Sequence, residues 1–341
     1  MNNKIKIGLI GFGRLGEIHA RNIILSNIAE LSIVCDINTN ALNRAKTQYG
    51  VNVTADINEF LAYEPLDGIV IASSTSCHLE LIDAVSTKGI PIFTEKPIGL
   101  TLEQTDKVLQ KVVDNEAPFQ IGFQRRWDPQ YRKVKSIVES GEIGKPILLK
   151  TYSRDPNASK PENWGLDKNG GLFLNAGIHD YDISRFILGD EVDRISATGA
   201  TLIYPDLASV GDIDTCSTTL FMKNGTMAMT ECNRYATYGY DVGMEIICTE
   251  GIIKIGHERN SSVVVLHKNK KAPSVYDVFA DAFSSEIEGF LRAIIEKSPM
   301  SPGIEDARIA LQLAIKARES YESESKVVIV EPLSPLNIKP E

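Results

Sequence analysis

Three glycines, Gly11, Gly13 and Gly16, stand in the spacing G-x-G-x-x-G. They follow a strand-like run and open a helical pattern, the context in which this motif binds a dinucleotide rather than simply turning the chain. Gly11 would permit the tight turn, Gly13 would let a pyrophosphate approach the backbone, and Gly16 would let helix and strand pack closely. The N–H groups at the start of that helix would face the phosphates. Phe12, Arg14 and Leu15 complete the loop and are expected at the cofactor with the glycines. Asp36 ends the next strand, 20 residues after Gly16, where a carboxylate accepts hydrogen bonds from the adenosine ribose. It would repel a 2′-phosphate, and neither Ile37 nor Asn38 supplies a neutralising cation, so NAD is expected over NADP.

Two further segments carry groups able to move protons. Glu95-Lys96-Pro97 lies at the carboxyl end of a strand, the edge at which open α/β sheets bind their ligands. Lys96 there could donate to a hydroxyl oxygen and favour its deprotonation, although a strand-end lysine in water is the ordinary alternative. Ser73 and His78 follow the preceding strand and are expected beside the cofactor with Glu95 and Lys96; His78 could equally do no more than begin a helix. The second segment, Gly170 to Asp182, reads GGLFLNAGIHDYD, with a helix expected to start near His179. An imidazole titrates near neutrality and suits the removal of a hydroxyl proton as hydride departs. A histidine that merely ends a helix is the plain reading. A metal pair with Asp182 at i, i+3 is another, but no second such pair stands out and no metal is expected. His19, His257 and His267 form no recognisable ligand spacing.

These residues need a scaffold, and the first third of the chain alternates strand and helix patterns: strands at 4–10, 31–35, 68–72, 91–94 and 119–123, a helix opened by the three glycines and running to about 26, and helices at 76–88 and 102–113. Such alternation implies a parallel sheet covered on both faces. After a boundary near residue 123 a helix is expected over 129–139, a strand over 147–153 and a polar loop over 157–171. Strand-like runs then succeed one another at 194–201, 215–222, 226–233, 244–248 and 252–255, with the hairpin signal Asn224-Gly225 between two of them. Amphipathic helices at 276–296 and 304–321 follow, and the tail from Pro332 reads as a surface arm. The expected fold is α/β: a Rossmann domain over 1–123 and an α+β domain with a large, mostly antiparallel open sheet over 124–341.

Charge and composition exclude other classes. The chain of 341 residues has a formal net charge of −9, with no basic run to follow a phosphate backbone, so neither nucleic acid nor an anionic membrane is the expected partner. No stretch approaches the roughly 20 apolar residues that cross a bilayer. Five dispersed cysteines without a C-x-x-C pair suit a reducing compartment, and no signal peptide is read at the start, so a cytoplasmic location is expected.

Taken together, the glycine motif, Glu95-Lys96-Pro97, Arg125-Arg126-Trp127-Asp128 and the segment ending His179-Asp-Tyr-Asp182 resemble the glucose–fructose oxidoreductase/inositol dehydrogenase (Gfo/Idh/MocA) family. Ser153-Arg-Asp-Pro156, Gly211-Asp-Ile-Asp-Thr215 and Tyr238-Gly-Tyr-Asp241 look most like its inositol dehydrogenases, and the resemblance covers roughly residues 4–330. It implies NAD-dependent oxidation of a cyclic polyol, with His179 as base and Lys96 orienting the hydroxyl. It also implies that Arg125, Asp155 and Tyr240 contact the substrate, and that the open sheet packs against other subunits, usually in a homotetramer. Arg125 could instead only pair with a carboxylate, and Tyr240 could only fill a strand face. One position departs from the family: Asn175 stands where an Asp is usual, four residues before His179. Asn175 is expected in the reacting shell but supplies no charge to an imidazolium. The alternatives are a dehydrogenase of another pyranose sugar and a non-catalytic NAD-binding homologue, the latter favoured by Asn175 alone.

Overall fold

The computed structural model describes residues 4–156, 165–256 and 274–337. Residues 157–164 of the expected polar loop, and His257 and His267, lie outside the described residues. The chain forms two compact units, one of residues 1–124, 281–308 and 334–341, the other of residues 125–280 and 309–333. The single boundary expected near residue 123 therefore describes only the first crossing.

The first unit carries a six-stranded sheet in the order β3-β2-β1-β4-β5-β6, parallel throughout. Its elements are β1 (Ile5–Ile10), α1 (Arg14–Leu25), β2 (Ala29–Cys35), α2 (Thr39–Tyr49), β3 (Asn52–Thr54), α3 (Ile57–Ala62), β4 (Gly68–Ile71), α4 (Thr75–Ser86), β5 (Ile92–Glu95), α5 (Leu102–Asp114) and β6 (Phe119–Gly122). The strands β4, β5 and β6 are buried at every position, as expected of a parallel sheet covered on both faces. The order reverses between β1 and β4, the switch point where doubly wound sheets open a crevice at the strands' carboxyl ends. The α2–β3–α3 stretch has no counterpart among the expected elements. Its start is set locally, since Asn38 Oδ1 accepts the N–H groups of Asn40 and Ala41 at 2.9 and 3.4 Å.

The second unit begins with α6 (Pro129–Ser140), β7 (Pro146–Arg154), α7 (Leu166–Asn169) and α8 (Ile178–Leu188), followed by β8 (Val192–Ala200), β9 (Thr215–Met222), β10 (Met227–Asn233), β11 (Asp241–Cys248) and β12 (Ile252–Ile255). It closes with α9 (Val275–Val278), while α10 (Ala280–Glu296) returns to the first unit; α11 (Ile304–Glu322) and β13 (Val328–Ile329) follow. The expected single helix over 276–296 is thus two, separated at Phe279. The apolar side of α10 explains its allegiance, because Ile287, Phe290 and Leu291 are buried in one core with Ile7, Leu9 and Phe93. The second sheet runs β12-β11-β7-β10-β9-β8-β13, antiparallel except where β7 and β10 pair in parallel. Asn224-Gly225 turns β9 into β10 as expected, with Gly225 at φ +90°. No helix of the described residues is long and apolar enough to cross a membrane.

Candidate active site

In the first unit the expected cofactor residues gather at the carboxyl ends of β1, β2, β4 and β5. Gly11 has φ +92°, and a Cβ there would stand 2.6 Å from the Ala72 carbonyl oxygen. A Cβ on Gly16 would collide with the carbonyl oxygen of Gly11, whereas one on Gly13 would meet nothing within 4 Å. Gly13 is also the N-cap of α1 and makes no side-chain capping bond. The first-turn N–H groups beside an open glycine are what a pyrophosphate requires, so the residues present fit a dinucleotide.

Phe12 contributes through its backbone: its ring is buried, and its N–H donates to Asp36 Oδ2 at 2.6 Å. Arg44 from α2 donates to the Phe12 carbonyl at 3.2 Å, which holds the next peptide unit of the loop. Arg14 is exposed and Leu15 half-buried. Asp36 Oδ1 accepts the N–H of Asn38 at 2.8 Å, so each carboxylate oxygen is oriented by one backbone donor and keeps a lone pair. Replacing Asp36 by Ala is expected to weaken NAD binding roughly 10- to 100-fold, the range for a hydrogen-bonded charge. It should also narrow the preference over NADP; titration with both cofactors checks this, and unchanged selectivity would remove Asp36 from the site.

The Lys96 main chain is flanked by two buried histidines. Before it, Glu95 Oε1 lies 2.7 Å from His19 Nε2. After it, the Pro97 carbonyl accepts from His78 Nδ1 at 2.8 Å, while His78 Nε2 lies 3.2 Å from the Ser73 carbonyl. Burial pushes the His78 imidazole below its ordinary range. His78, expected beside the cofactor, lies buried between the Ser73 turn and Pro97. Glu95, placed with it, turns its carboxylate inward to His19. Lys96 itself is half-buried.

In the second unit the helical backbone starts eight residues earlier than expected, at Gly171, and passes through a π segment, Phe173–Gly177, into α8. Gly170-Gly171 reads as a break, but Asp212 Oδ1 accepts the Leu172 N–H at 2.8 Å and caps the stretch from a distant loop. Wide turns of this kind occur frequently at functional sites. Between Gly171 and Asp182 every residue is buried except Asn175 and His179, which are half-buried. At i, i+4 they share one helical face.

Two arginines hold the residues that follow. Arg125 donates to Asp180 Oδ1 at 3.0 Å and to Ser153 Oγ at 2.8 Å. Arg126 donates twice to Asp182, at 2.9 and 2.6 Å, which occupies the carboxylate considered above as a metal ligand. Arg125 is 2% exposed and bonded to Tyr240 as well. Expected at the substrate, it lies buried and braces α8 through Asp180. Burial works most strongly against its charge, but Asp180, Tyr131 and Tyr240 together outweigh this and raise its pKa. Tyr240 is likewise buried, and burial drives its phenol upward; Asp155, half-buried, lies near enough to add to that effect. Arg125, Asp155 and Tyr240 are thus brought together beside Asp180, the neighbour of His179. The supports His19, Asp180 and Asp212 were not anticipated as such, because each bonds to a residue far away in sequence.

The description "Oxidoreductase family, NAD-binding Rossmann fold" matches residues 5–123, and "GFO/IDH/MocA C-terminal domain" matches 131–254. The chain belongs to the Gfo/Idh/MocA family of oxidoreductases. It is 32% identical to the myo-inositol 2-dehydrogenase of Thermotoga maritima, over 96% of this chain and 99% of the relative. It is 33% identical to the scyllo-inositol 2-dehydrogenase (NAD(+)) of Bacillus subtilis, over 94% and 95%. The crystal structure of scyllo-inositol dehydrogenase from Lactobacillus casei, with bound NAD(H) and scyllo-inositol, superposes with a TM-score of 0.84 at 32% identity, covering 96% of this chain and 99% of that one. This Gfo/Idh/MocA chain is accordingly an NAD-dependent oxidoreductase, with NAD as cofactor of its Rossmann unit.

Proposed function

We propose that the protein oxidises a ring CH–OH of an inositol to the ketone, with NAD as acceptor. The observation that carries this is the His179 face: the helix is buried on every side but one, and that side presents Asn175 and His179. In this reading His179 takes the hydroxyl proton, Lys96 steadies the oxygen, and Asn175 and Asp155 bind ring hydroxyls. Arg125 and Tyr240 act through the packing of α8. Bound NAD supplies the hydride acceptor. A neutral, multiply hydroxylated ring suits such a mixed polar set, and the inositol dehydrogenases similar to this chain support that choice over another sugar. The first unit serves NAD, and the second serves substrate and assembly. Ile147, Met227, Met229 and Ile252 stand exposed on the second sheet, a face suited to another subunit in a homotetramer. Five free cysteines fit a reducing, cytoplasmic setting.

The test is NADH formation by the purified protein on myo-, scyllo- and D-chiro-inositol, glucose and xylose. Turnover of an inositol above the sugars is the expected result; turnover of a sugar alone, or of nothing while NAD binds, overturns the reading. Asn175→Asp adds a further expectation. A carboxylate one turn before His179 favours the imidazolium, so the acid limb of the kcat/KM profile should move to higher pH. An unmoved limb with unchanged turnover would place residue 175 outside the reacting shell.

A further inference from the structure

Behind Lys96 the first unit holds ionisable groups that the proposed reaction does not use. His19 from α1 is wholly buried, and its partner Glu95 is 8% exposed. The imidazole stands edge-on to Phe93 and Phe283, with ring centres 5.3 and 6.1 Å away. Glu286 from α10 is also wholly buried, and neither its carboxyl oxygens nor His19 Nδ1 has a hydrogen-bond partner among the described residues. The neighbouring strand β6 brings no charge. Gln120 gives its amide to the Glu286 main-chain oxygen at 3.4 Å. Gly122 leaves the space that Glu95 fills, Oε2 lying 3.0 Å from where a Cβ would stand. On α10 itself, Glu288 accepts from Ser26 Oγ at 3.1 Å and pairs with Arg292 at 2.8 Å. The charge that Glu286 faces is that of Glu95, of its own sign.

An ionised carboxylate without a donor, buried beside a second carboxylate, is strongly disfavoured. We propose that Glu286 is a neutral carboxylic acid in the folded protein, and that its neutrality lets Glu95 stay on His19 and so positions the main chain at Lys96. Glu286 is a positioning residue, acting on Lys96 through Glu95. The positioning role rests on the reading of Lys96 as a catalytic group, whereas the protonation state does not. Burial first, and the Glu95 charge second, hold the Glu286 carboxyl well above the ordinary carboxylate range.

Above the carboxyl's ordinary range the unfolded chain has released this proton and the folded protein keeps it. The stabilisation is therefore full at acid pH and is lost as pH rises toward the folded-state titration, by about tenfold in the folding constant per pH unit. Glu286→Gln keeps the shape and removes the titration. Urea unfolding of the full chain, from about pH 5.5 to about pH 8.5, should show the folding constant of E286Q gaining on the parent by about tenfold per unit. Parallel curves would overturn the proposal. Should E286Q not fold, infrared spectra of the parent with isotope-labelled glutamate must show a protonated-acid carbonyl band at neutral pH, and its absence overturns the proposal equally. E286Q should also keep its neutral-pH kcat and extend activity further into alkaline pH; an unmoved alkaline limb removes the positioning role. Unfolding needs no substrate, so failure of the polyol reading would leave the protonation result standing.

Discussion

His179→Ala and Lys96→Ala are each expected to lower kcat on an inositol by about 10²–10⁴-fold, the usual worth of a positioned acid or base. His179→Ala should leave NAD affinity unchanged, because the glycine loop and Asp36 lie in the other unit. Lys96→Ala should weaken NAD modestly, since the lysine follows β5 at the cofactor edge. If the two side chains act on one hydroxyl, the double variant will lose little more than the worse single one, as residues acting as a unit do. Stopped-flow and steady-state NADH formation, with NAD titrations alongside, check all three points. A His179→Ala enzyme with near-parental kcat would leave the histidine as an ordinary helix residue.

Asp180→Ala is expected to cost about 3–5 kcal/mol of folding stability, because it strands the Arg125 charge in a closed interior. The carboxylate also accepts from Ser153 Oγ and lies 3.6 Å from Cys232 Sγ, so one truncation removes the partner of three groups. Replacing both members, Arg125→Met with Asp180→Leu, should recover most of the loss, as apolar replacement of a buried ion pair commonly does. Urea midpoints of the single and double variants decide this. A recovered fold that still lacks turnover would show that the pair matters for where α8 holds His179. Additive losses would mean that Arg125 and Asp180 are not coupled.

The dinucleotide site was legible in the sequence because phosphate binding constrains backbone, and backbone constraint selects residue type. Gly11 must take φ +92°, and Gly16 must leave room for the Gly11 carbonyl, so both positions announce themselves as glycine. Asp36, expected from its distance to that motif, accepts the Phe12 N–H in the fold. The supports were not legible. His19 and Glu95 are 76 residues apart and Arg125 and Asp180 are 55 apart, pairings that only the finished fold defines. Arg125 illustrates the limit: its type suits a polyol hydroxyl as well as a carboxylate, and its bond to Asp180 is defined only in the fold. The start of the His179 helix was misplaced for a related reason. Two glycines locally oppose a helix, and the cap that overrides them comes from Asp212, 40 residues beyond Leu172. Likewise α10 reads as an amphipathic helix of the second unit, but its apolar face fits the core of the first.

The central claim is that this chain removes hydride from a ring carbon of an inositol. The most direct measurement is incubation of the purified protein with NAD and inositol deuterated at its ring carbons, followed by mass analysis of the cofactor. One deuterium recovered in the reduced cofactor per ketone formed, abolished in His179→Ala, is the predicted result. Unlabelled cofactor and unchanged inositol, with NAD bound at full occupancy, would contradict it.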